Sequence, residues 1–182
     1  MRLSGRRLTV VLATALAVVL AAGVTAAWSF GRAHDREPLA MADYQRGPSG
    51  TSTVRLSTPA AAHPRATEVR QVLQGYFDAI NHHDFRSWKR AVAAEQSAPQ
   101  TQDRWQADYA TTVDSNIAVV TMTDGPLRAR TMFTSEQDVD LAPPSLPEEC
   151  INWDVTYLLG DRDGHLVLTG MEPSAQSMEA CQ

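Results

Sequence analysis

The chain opens with Arg2, Arg6 and Arg7 and then runs from Leu8 to Phe30 without a charged residue. That stretch of about 23 residues constrains all that follows, because a helix of roughly 20 apolar residues spans a hydrocarbon core. Arginines mark the flank that stays in the cytoplasm, so everything after Phe30 is expected outside. Trp28 and Phe30 suit the aromatic belt at the outer interface. A cleaved signal sequence is the alternative. Leu8 to Leu20 alone has the length of a signal core, and Val24-Thr25-Ala26 and Thr25-Ala26-Ala27 offer the small residues a signal peptidase accepts. The expectation is a single-pass cell-membrane protein with residues 1–7 as a cytoplasmic basic tail and 8–30 as transmembrane helix or signal sequence. Cleavage would instead make it secreted.

Beyond the run, composition separates a spacer from a domain. Residues 31–64 hold Pro38, Pro48, Pro59 and Pro64, Gly47 and Gly50, and few large apolar side chains, which predicts a disordered linker without a core. Residues 65–182 have the length of one small domain able to bury its own core.

Charge narrows the partners. Three of the 16 basic residues precede the apolar run and all 21 acidic residues follow it, so the part beyond the run carries −8. An acidic module is repelled by phosphates, and no nucleic-acid partner is expected. Asp138, Asp140, Glu148 and Glu149 read as a solvated surface loop.

Within the domain, hydrophobic periodicity changes from helical to alternating. Val69, Val72, Leu73, Tyr76, Phe77 and Ile80 form one apolar stripe at helical spacing, ended by Asn81-His82-His83-Asp84. Asp84 is placed to N-cap a second helix with Phe85, Trp88 and Val92 on its inner face. A third helix from about Thr101 would carry Trp105, Tyr109 and Val113 on one side. Strands follow: Asn116 to Thr123, the turn Asp124-Gly125-Pro126, and Leu127 to Gln137. After a proline-rich loop, Ile151, Trp153, Val155, Tyr157 and Leu159 alternate with polar neighbours, and a turn at residues 160–164 leads into His165 to Met171. Helices ahead of an antiparallel sheet predict an α+β domain, with the helices covering one face of a curved sheet.

The helix Val69 to Asn81 with Asp84 and Phe85 resembles the opening helix of the NTF2-like (SnoaL-like) superfamily. The runs Phe133-Thr134-Ser135-Glu136-Gln137-Asp138 and Cys150 to Tyr157 are similar to uncharacterised membrane-anchored proteins of actinobacteria with the same layout. The resemblance covers Arg65 to about Met171 and implies a cone-like fold, three helices packed on a curved antiparallel sheet. That fold hosts isomerases, cyclases and dehydratases as well as non-catalytic binding domains, so it implies no single activity.

Proton-transfer chemistry on such a fold needs an acid inside a pocket, where burial raises its pKa. Alternation turns Asp154 away from the apolar face, Asp84 is a helix cap, and Asp78 lies on the polar side of its helix, so no acid is expected in the interior. Adjacent His82 and His83 lack the i, i+4 spacing of helical metal ligands and are expected to satisfy the last helix carbonyls. Asp161-Arg162-Asp163-Gly164 lacks the further ligands of a calcium loop and reads as a hairpin turn. No catalytic residue, metal site or cofactor is expected. Trp88, Trp105, Tyr109, Trp153 and Tyr157 all face inward, as core or as the lining of an apolar pocket for a small ligand. Cys150 and Cys181, the two cysteines of the chain, are expected to pair on the oxidising side of the membrane, the tail after Pro173 folding over to bring them together. The expected function is a membrane-anchored extracytoplasmic binding or assembly module without catalysis, with an envelope-protein partner or a second copy. A small cone-fold isomerase or dehydratase and a structural subunit of an envelope or secretion complex are the alternatives.

Overall fold

A computed structural model describes residues 44–182. The basic tail 1–7, the apolar run 8–30 and the start of the spacer lie outside the described residues. Among the described residues no helix is long and apolar enough to cross a membrane.

In chain order the elements are β1 (Arg55–Leu56), α1 (Thr58–Ala61), α2 (Ala66–Asn81), α3 (Phe85–Ala91), α4 (Ala94–Ser97), α5 (Gln102–Asp108), β2 (Val113–Thr123), β3 (Leu127–Glu136), a 3-10 turn at Val139–Leu141, β4 (Cys150–Arg162) and β5 (His165–Ala180). The domain is α+β. Its five strands form one sheet in chain order, antiparallel except that β1 runs parallel to β2 at the edge.

Two of the shorter helices start at a side-chain cap. The Asp84 carboxylate accepts from Ser87 N–H at 3.0 Å and caps α3, and the Thr101 hydroxyl does the same for α5. At the other end of α2, His82 Nδ1 lies 2.7 Å from the Asp78 carbonyl, as expected of a helix-ending histidine. Arg162 reaches back from β4 to the carbonyls of Arg90 and Val92 and closes the end of α3. The stripe of α2 buries Val69, Leu73, Phe77 and Ile80 against the sheet, whose inner face supplies Ile117, Val119, Ala129, Phe133, Val155, Tyr157 and Leu159. Asp163 and Gly164, both at positive φ, make the tight β4–β5 hairpin.

β2 starts at Val113 and not at the expected Asn116, and three further boundaries differ from the sequence expectation. First, the described part of the expected linker 31–64, residues 44–64, belongs to the domain. Val54 and Ala60 are buried in the core, and the chain from Gly47 to Thr51 straps the sheet. Gly47 N–H donates to Asn152 Oδ1 at 3.3 Å, Asn116 Nδ2 donates to the Gly47 carbonyl at 2.8 Å, and Ser49 N–H donates to Glu136 Oε1 at 3.0 Å. Low apolar content did not prevent ordering, because backbone groups supply the contacts. Second, the third helix stops at Asp108, and Val113 is 50% exposed instead of facing inward. Third, the last strand continues to Ala180 past an irregularity opposite Val155 to Tyr157, where Pro173 falls outside the register.

That extension settles the end of the chain. Ile151 pairs with Ala180, Cys181 N–H donates to the Cys150 carbonyl at 3.0 Å, and Cys150 and Cys181 form a disulfide with Cα atoms 5.4 Å apart. The tail reaches its partner as a strand, not by folding over. Closing a loop with a sequence separation of 31 contributes about 3–4 kcal/mol in the chain-entropy model.

The strap depends on one glycine. A Cβ on Gly50 would overlap the carboxamide of Asn116, which is buried and held by Gly47. Gly50→Ala is therefore expected to destabilise the domain by roughly 1–3 kcal/mol, measured by urea unfolding. Gly47→Ala has no such overlap, but its φ of 103° makes it a strain control.

Candidate functional site

The acid that sequence periodicity did not find is Asp114. It is the second residue of β2 and only 3% exposed. A register shift between Ser115 and Ala118 inserts one extra residue into β2, with Asn116 at a φ of 53°. Without the bulge, period-two alternation would place Asp114 and Ile117 on opposite faces; with it, both face the helices. The expectation that no acid is interior is corrected on this ground.

Its surroundings come from four elements. Asn81, the last residue of α2, accepts from Asp114 N–H at 2.7 Å and donates to the Asp114 carbonyl at 2.9 Å. Ser135, opposite in β3, donates its hydroxyl to the Asp114 carboxyl. Tyr76 from α2, Tyr109 after α5 and Tyr157 from β4 complete the cluster, their phenols close enough to shift one another's titration. Burial pushes the Asp114 carboxyl up to about 7, the Ser135 hydrogen bond only partly opposing it. Desolvation likewise raises all three phenols, Tyr109 to about 12, and the neighbouring carboxylate adds to it. The arrangement can hold or release a proton near neutrality, with three phenols as neutral hydrogen-bonding groups around it.

The five aromatic candidates fall into two joined sets. Trp88, Trp105 and Tyr109 pack with Phe85 at ring separations of 5.1–5.8 Å. Tyr157 packs on Tyr76 and Phe77, and Trp153 stacks on Phe133, itself 5.0 Å from Phe77. The sets meet where the Tyr76 and Tyr109 phenols lie close together. Trp105 and Phe77 are wholly buried, so rings occupy the space between helices and sheet. A groove of about 450 Å³ lies instead between α2 and α3, lined by Val72, Gly75, Asp78, His82, Asp84 and Arg90 among others. A second cavity of about 270 Å³ sits beside the strap at Tyr44, Arg46, Arg130 and Asp154.

The remaining candidates occupy structural places. Asp154 makes a bidentate pair with Arg130, at 2.9 and 2.6 Å. The Asp84 carboxyl is held below the usual carboxylate range by Ser87, through its hydroxyl and its N–H, and Asp161 by the Arg65 guanidinium. Among the described residues no group of three or more His, Cys, Asp or Glu side chains is placed to hold a metal. No protein-family model matches the chain, and no curated protein or solved structure matches it.

Because folded Asp114 binds its proton more tightly than the unfolded chain does, stability falls as pH rises from about 4 to about 7 and levels off above. The loss is on the order of 4 kcal/mol. Asp84 and Asp161, shifted downward, act below this window. Asp114→Asn, which can still accept from Ser135, is expected to flatten the slope and to raise the melting temperature at pH 8.

Proposed function

We propose that the chain is a membrane-anchored, extracytoplasmic module of the NTF2-like cone type that acts by binding or assembly and not by turnover. The observation that carries this is the packed interior, where aromatic side chains fill the space an enzyme of this fold would leave open for substrate. The Cys150–Cys181 disulfide supports the oxidising side of the membrane. Residues 8–30 would hold the domain at the envelope, where its partner is another envelope protein or a second copy. Mass spectrometry of the native N-terminus tests the anchor: a chain that retains Leu8 to Phe30 is expected, and a soluble form beginning at Ala27 or Trp28 would show a cleaved signal sequence.

One observation favours a second reading, a small proton-transfer enzyme of the same fold. A carboxyl buried beside three phenols and poised near 7 is costly to keep and chemically competent. Full-length protein in detergent, incubated with apolar enolisable ketones, separates the two. No exchange of the α-proton above the buffer rate is expected. Exchange that disappears in Asp114→Asn would establish the enzyme instead.

A further inference from the structure

The Asn81 carboxamide closes on both main-chain polar groups of Asp114 and ties the last residue of the main helix to the start of the strand 33 positions later. A clamp of this kind is satisfied whatever the Asp114 side chain does, provided β2 keeps its path. The side chain itself has no such security. Its carboxyl is buried with the Ser135 hydroxyl as donor.

The groups facing it do not neutralise a charge. From α2 come Tyr76 and Asn81, from the end of α5 Tyr109, from β3 Ser135 and from β4 Tyr157. The charged residues nearest along these elements, Asp108 and Glu136, are themselves acids, and Glu136 is engaged by Ser49 N–H. Of the two histidines after Asn81, both exposed, His82 is turned back to the Asp78 carbonyl. Water lies close by: Val113 is half exposed, and Tyr109 is only partly covered. Opening at this point would release the first residues of β2 and the end of α2 while leaving the packing of Phe77, Phe133 and Val155 in place, a low-cost local excursion.

We propose that the Asn81–Asp114 clasp is a proton-operated latch, closed while Asp114 keeps its proton and released when that proton passes to solvent and the carboxylate turns out to water. The latch goes beyond the functional reading above and needs neither turnover nor an anchor.

Hydrogen exchange on the full chain in detergent, with the intrinsic pH dependence divided out, tests it. Protection of the amides from His82 to Asp84 and from Val113 to Asn116 is expected to fall by about tenfold per pH unit between pH 4 and 7 and then to level. Amides of Val155 to Leu159, which open only with the whole domain and share its pH dependence, should stay far better protected than the latch amides at every pH, and equal protection of the two sets would overturn the latch. Asp114→Asn should hold the latch amides flat across the range. Ser135→Ala removes a donor that favours the carboxylate, so it should extend the fall to higher pH. Wild-type protection that ignores pH, or a fall that persists in Asp114→Asn, overturns the latch. If Asp114→Asn does not fold, Ser135→Ala decides: a levelling point that stays put or moves down overturns the proposal.

Discussion

The packing of α2 against the inner face of the sheet is the interaction on which the other features rest. Phe77 alone touches Tyr76, Phe133 and Tyr157 at ring separations of 5.0–6.2 Å, and it is wholly buried. Burying such a ring is worth a few kcal/mol, and edge-to-face geometry adds to it. Because Phe77 fixes the rotation of α2, it also fixes where Tyr76 and Asn81 point. The helix that builds the core therefore presents the site.

The ladder of the sheet is not regular. The shift in β2 between Ser115 and Ala118 and those opposite Val155 to Leu159 break the ladder at separated places. The first has a chemical consequence. It turns Asp114 toward the phenols while Asn116 points to the strap and holds Gly47. One inserted residue thus serves both faces: a buried acid on the helix side and a buried amide under the strap on the other.

The two ends of the described chain meet the same corner of the sheet. Strap contacts fall on Glu136, Asn152 and Glu179, and the disulfide joins Cys150 to Cys181 within a residue or two of them. The first described residues are thereby tied to the sheet close to the covalent bridge at the other end.

Local chemistry determined much of this in the sequence itself. The stripe of α2, the cap at Asp84, a hairpin turn within residues 160–164 and the pairing of two cysteines were all legible, because each depends on neighbours within a few residues or on a count of two. Asp154 was rightly turned from the core, since alternation along β4 is unbroken from Cys150 to Val155. Tertiary structure decided the rest. Asp114 fell between the expected third helix and the strand expected from Asn116; β2 reaches back to Val113, and its bulge, set by what the partner strand and the strap require, turns Asp114 inward. The strap itself carries little hydrophobic signal, since it is held by backbone groups and by the absence of a Cβ at Gly50. Whether inward rings fill the space between helices and sheet or line a pocket likewise depends on how closely the two layers approach, a distance that no periodicity along one chain contains.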